Sequence, residues 1–89
     1  VLDVREEGEF RGTLGHVEGA HLIPLNTLTD NVDQVPSDQP IVVVCRSGAR
    51  SAQATVLLRK AGFERVANMS GGMLRWQEQR LPAVGMNHS

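Results

Sequence analysis

Eighty-nine residues with 40% hydrophobic and 21% charged side chains make one small folded domain rather than a disordered segment. A net charge of −1, no tyrosine, two phenylalanines and one tryptophan supply neither the basic field nor the stacking surface of a nucleic-acid binder. The apolar runs are too short to cross a bilayer, and a single cysteine has no partner for an internal disulfide, which points to a reducing compartment, the cytoplasm.

Val1–Leu2–Asp3–Val4 reads as a short buried strand, and because the chain opens inside it an N-terminal segment is expected to precede it. Glu6 to Arg11 predicts a turn of helix anchored by Phe10, followed by a loop through Gly15–His16–Val17–Glu18–Gly19–Ala20. His21–Leu22–Ile23 is a second strand, ended by Pro24. Apolar residues at 25, 28, 32 and 35 predict a helix over 25–35, with Asn26 as its candidate cap. After the loop Pro36–Pro40, Ile41–Val42–Val43–Val44 is an uninterrupted β-branched run, expected to be a central strand buried on both faces.

Ala54, Leu57, Leu58 and Ala61 fall on one helical stripe, with Arg59 and Lys60 suited to its C-terminal end and Gly62 to its stop. Val66–Ala67–Asn68–Met69 is a fourth strand. Ser70–Gly71–Gly72 turns the chain into a last helix carrying Met73, Leu74 and Trp76, ended by Leu81–Pro82. Residues 1–84 are expected to form the domain and 85–89 a flexible tail. Alternating strands and helices predict an α/β fold in three layers, a central and mainly parallel sheet of about four to five strands flanked by helices. Ligands in such sheets bind beyond the carboxyl ends of the strands. Cys45, Arg5 and Ser70–Gly72 follow three of those ends and are expected to converge on one rim.

Cys45 ends the best-defined strand and precedes a loop that opens a helix. Unpaired amides at a helix N-terminus and nearby cations both lower a thiol's pKa. Gly48 lets the backbone curl so that successive N–H groups form an anion-binding nest. Arg46 and Arg50 add positive charge, and Ser47 and Ser51 add hydroxyl donors. A buried structural thiol is the plain alternative. A strand end before a doubly basic, glycine-containing loop favours a nucleophile.

The segment Cys45–Arg46–Ser47–Gly48–Ala49–Arg50–Ser51 resembles the active-site loop of rhodanese-like sulfurtransferases. The resemblance extends to Leu2–Asp3–Val4–Arg5–Glu6–Glu7–Gly8–Glu9–Phe10, to Gly15–Leu25 and to Gly71–Gly72–Met73 with Trp76, four motifs in order over residues 1–84. It implies a persulfide formed on Cys45 from thiosulfate or another sulfane-sulfur donor and passed to a thiol, cyanide or a protein acceptor. It also implies that Arg46, Ser47, Gly48, Ala49, Arg50, Ser51 and Arg5 bind the anionic donor, and that no cofactor or metal takes part. Family members usually carry a further strand and helix before the segment matching Leu2–Arg5; this chain does not. The loop from Cys45 to Arg50 counts six residues, the sulfurtransferase length. The related phosphatases and arsenate reductases have one more, and Val44 stands where phosphatase-like signatures place a histidine. A non-catalytic binding or regulatory module is the main alternative.

Asp3 and Arg5 can equally form a strand-end ion pair, and Glu9 and Phe10 read as a charged anchor and a core plug. His16 is expected to fix its turn by hydrogen bonding. His21 and His88 lack metal-ligand spacing with Cys45. Met73 and Trp76 read as core, and Arg59, Lys60 and Arg65 as a solvated face.

Overall fold

The computed structural model describes residues 1–85. Four strands, β1 (Leu2–Asp3), β2 (His21–Leu22), β3 (Ile41–Val44) and β4 (Val66–Asn68), form one sheet in the order β2-β1-β3-β4. Every neighbouring pair is parallel, with Asp3 opposite Leu22 and Val44, and Val43 opposite Asn68. The α/β class and parallel four-stranded sheet are as expected. Between the strands run α1 (Glu7–Phe10), α2 (Leu25–Leu28) with a 3-10 segment (Thr29–Gln34), α3 (Ala49–Lys60), and after β4 comes α4 (Gly72–Glu78). Parallel strands put Val4–Arg5, Cys45 and Met69–Gly72 at one end of the sheet, where the chain leaves β1, β3 and β4.

The core lies between the sheet and the helices α2 and α3. Leu2, Val4, Ile23, Leu28, Val35, Ile41, Val43, Cys45, Ala54, Leu58 and Val66 form one buried cluster. Ile41, Val43 and Cys45 alternate onto that face, as a pleated strand requires. Val42 points the other way and is 36% exposed, so β3 is not buried along both faces as its composition suggested. The physical reason is where the helices lie: α2 and α3 cover the Ile41–Val43 side. Val44, on the Val42 side but nearer the rim, is fully buried.

Two further expectations are corrected. The stretch 25–35 is not one α-helix. It makes a single α-turn and then a 3-10 path interrupted at Asn31 (φ −126°, ψ 18°). Asn31 Nδ2 donates to the Thr27 carbonyl at 2.8 Å, taking the acceptor its own amide would use in an α-helix. Nor does Asn26 cap α2: Pro24 precedes the helix, and Thr27 Oγ1 donates back to the Pro24 carbonyl at 2.9 Å. On α3, Ala54 and Leu58 are buried as the stripe predicts, whereas Ala61, at the C-terminal end, is exposed. The last helix ends at Glu78, before Leu81–Pro82, and the chain then folds back so that Trp76 Nε1 donates to the Pro82 carbonyl at 2.8 Å. Of the tail expected over 85–89, all but Gly85 lies outside the described residues, as does His88.

Candidate active site

Cys45 leaves the end of β3 and retains 1% of its surface. The chain turns through Arg46–Ser47–Gly48 and enters α3 at Ala49. Gly48 makes the turn possible, since its φ of 113° lies in the left-handed region that favours glycine. The turn aims the Gly48 N–H at Cys45 Sγ, 3.0 Å away. Ser51, one turn into α3, brings its hydroxyl to 3.4 Å from the same sulfur. Burial opposes a charge on Cys45. The Ser51 hydroxyl and the N–H groups of Ser51, Gly48 and Ser47 outweigh it and hold the thiol below its usual pKa. The thiolate is therefore stabilised chiefly by dipoles of its own loop and helix start, as expected for a nest.

The second side of the site is the turn into α4. Met73 N–H donates to the Cys45 carbonyl at 2.8 Å, and Leu74 N–H donates to the Arg46 carbonyl at 3.0 Å. The Cys45 loop thus supplies acceptors for the open N-terminus of α4. The approach requires Gly72: its φ is 55°, and a Cβ there would overlap the carbonyl oxygens of Cys45 and Arg46. The sequence puts this glycine pair on the rim, and the structure brings it against the loop. Asn68, the last residue of β4, also belongs to the site without having stood out in the sequence: its amide oxygen accepts a hydrogen bond from Ser51 Oγ. A polar residue at the carboxyl end of a parallel strand is the signal that could have found it.

The arginines divide. Arg46 is exposed and has no acidic partner among the described residues. It borders a shallow depression of about 250 Å3 that Gly8, Glu9, Thr13 and Leu14 also line. Arg50 is held by Glu9 of α1 in a two-pronged pair, Nη1–Oε1 at 2.5 Å and Nη2–Oε2 at 2.7 Å. The Arg50 hydrogen bonds are the main cause that lowers Glu9 from its usual 4.5 to about 2. Arg50 is raised in turn by Glu9, against burial, with the charge of Cys45 adding to the effect.

Arg5 is not a free anion-binding group on the rim. It is 1% exposed, and its guanidinium is consumed by the scaffold. Nε and Nη2 donate to Asp3 at 2.9 and 2.7 Å, Nη1 to the Glu9 carbonyl at 3.2 Å, and Nη2 also to the Gly15 carbonyl at 2.7 Å. A buried carboxylate beside it fixes the side chain inward, which is the ion-pair alternative for Asp3 and Arg5. Ser47 and Ala49 lie exposed on the loop and first helical turn. His16 holds its turn: Nδ1 lies 2.8 Å from the Phe10 carbonyl, and the ring stacks on Phe10 with centroids 3.6 Å apart.

A parallel α/β sheet with a single free cysteine in a six-residue loop at its carboxyl end defines a class, and comparison with known proteins gives it a family. The rhodanese-like domain profile matches residues 1–79, and the chain belongs to that family. It is 34% identical over 84 residues to a sulfurtransferase of Allochromatium vinosum, covering 94% of this chain and 77% of that protein. It is 38% identical over 76 residues to the uncharacterized protein YqhL of Bacillus subtilis, covering 85% of this chain but 59% of that one, so it spans about three fifths of that relative. Among solved structures, a rhodanese-related protein of Thermoplasma volcanium superposes with a TM-score of 0.88 at 31% identity, covering 94% of this chain and 81% of that one.

Proposed function

We propose that the domain is a sulfurtransferase that carries sulfur as a persulfide on Cys45. The Cys45 thiolate attacks the outer sulfur of thiosulfate; the S–S bond forms, the bond to the sulfite sulfur breaks, and sulfite leaves with the bonding electron pair. Cys45 then holds a persulfide anion. A thiolate or cyanide attacks its outer sulfur and leaves with it, as a new persulfide or as thiocyanate, and the Cys45 thiolate returns. Charge is conserved in both steps, and neither calls for an external oxidant or reductant.

The observation that carries this reading is the closeness of the loop around Cys45 Sγ, with the Gly48 N–H at 3.0 Å and 1% of the residue exposed. A loop this tight suits a single terminal sulfur better than a tetrahedral oxyanion. Arg46, exposed on the loop and without an acidic partner among the described residues, receives the anionic end of a donor, and the amides of Ser47, Gly48 and Ser51 stabilise the persulfide anion. Ala49 opens the helix whose N-terminal dipole faces the sulfur. Arg50 contributes its charge to the site, oriented by the two hydrogen bonds that Nη1 and Nη2 give to Glu9. The sulfurtransferase name of the Allochromatium relative supports the same chemistry. In a thiosulfate–cyanide assay the wild-type domain is expected to form thiocyanate catalytically and Cys45→Ser to form none. A wild type that forms no thiocyanate and takes up no sulfur contradicts the enzyme and favours a binding module.

A further inference from the structure

Ser51 has one hydroxyl proton and three acceptors in reach. Cys45 Sγ lies at 3.4 Å, the Gly48 carbonyl at 3.1 Å, and Asn68 Oδ1 is the third. Ser51 is fully buried, so water does not choose among them. When the sulfur is a neutral thiol, the Ser51 hydroxyl can donate to Asn68 Oδ1 while Oγ faces the S–H. When the sulfur is an anion, the charge-assisted bond is the stronger and the hydroxyl turns toward it. Oγ and Oδ1 are then left face to face with no proton between them. The Asn68 side chain resolves this by a half turn about its last torsion, which replaces the acceptor Oδ1 with the donor Nδ2. Asn68 is exposed, so water can satisfy whichever end turns outward. Its Nδ2 already lies over the loop, 4.0 Å from where a Cβ on Gly48 would stand. We propose that Asn68 is a positioning residue for the nucleophile, its amide reversing with the charge on Cys45 to keep the Ser51 hydroxyl aimed at the anionic sulfur.

The inference rests on Cys45 working as an anion, as in the proposed function, and acts through Ser51 alone. The other charges on the elements packed against the loop are Arg46 in the loop, Arg50 on α3 with its partner Glu9 on α1, the Asp3–Arg5 pair at the end of β1, and Arg75 on α4, whose side chain lies against Gly71. Substitution at Asn68 leaves all of them in place. The near-isosteric Asn68→Asp keeps an acceptor toward Ser51 and cannot reverse. With one cysteine in the chain, the pH profile of iodoacetamide alkylation reads Cys45 directly. Asn68→Asp is expected to raise its midpoint by about one pH unit or more. In a Ser51→Ala background the same change is expected to move the midpoint about half as far or less, because the hydroxyl that transmits it is gone. Equal shifts in both backgrounds, which mark a charge acting through space, or no shift with Ser51 present, overturn the proposal. Alkylation uses no sulfur donor. In a domain that makes no thiocyanate and takes up no sulfur the proposed function falls, while a network that behaves as described leaves this inference standing.

Discussion

Two arginines near the site show how partner and burial decide what a side chain does. Arg5 and Asp3 are both buried and bonded to each other at 2.7 Å. Removing one leaves the other charged and unpaired in the interior. Arg5→Ala is expected to cost roughly 3–5 kcal/mol in urea unfolding, a large part of the stability of so small a domain. If unfolding changes by less than about 1 kcal/mol, the guanidinium is not the scaffold element described here. The Glu9–Arg50 pair is part-exposed, and its signature is in pH. Glu9 is depressed in the fold, so its contribution is full above the usual carboxylate value of 4.5 and is lost as pH falls toward about 2. The stability difference between wild type and Glu9→Gln is therefore expected to be constant above that window and to close within it. A difference that persists unchanged to pH 2 contradicts the pair.

At the scale of elements, the site is a seam between two turns, one after β3 and one after β4, that share backbone groups. Gly72 is the point of closest approach. Gly72→Ala places a Cβ against the Cys45 and Arg46 carbonyls at a φ of 55°. The conformation alone is expected to cost about 1–3 kcal/mol. Pushing α4 off the loop is expected to slow sulfur loading of Cys45 by about tenfold or more. Unchanged loading kinetics in this variant contradict the seam. The strand–loop–helix order around Cys45 was legible because β-branched runs, glycine and helical periodicity each act locally. The break at Asn31 was not, because the spacing of apolar residues is the same on an α-helical and a 3-10 path; one side-chain amide competing for the Thr27 carbonyl decides it.

Over the whole molecule, parallel pairing turns a list of motifs into a site. It carries Cys45, the Gly71–Gly72 turn and Asn68 to one end of the sheet from positions far apart in the chain. That convergence could be anticipated from strand order, and so could the cysteine loop. The direction of Arg5 could not: inward and outward both fit its place after β1, and the Asp3 carboxylate with the Glu9 and Gly15 carbonyls settles it. The burial of Val42 was misjudged for the same reason, since composition does not say which face the helices cover. Among the described residues no helix is long and apolar enough to cross a membrane.

As a sulfurtransferase, the domain is proposed to accept one sulfur atom on Cys45. With a single cysteine in the chain, intact-protein mass spectrometry after incubation with thiosulfate and removal of excess reagent measures it without ambiguity of site. Wild type is expected to give a species heavier by one sulfur, discharged by cyanide or by a thiol and absent in Cys45→Ser. A wild-type mass unchanged by thiosulfate and by a small organic persulfide, or the same gain in Cys45→Ser, contradicts it.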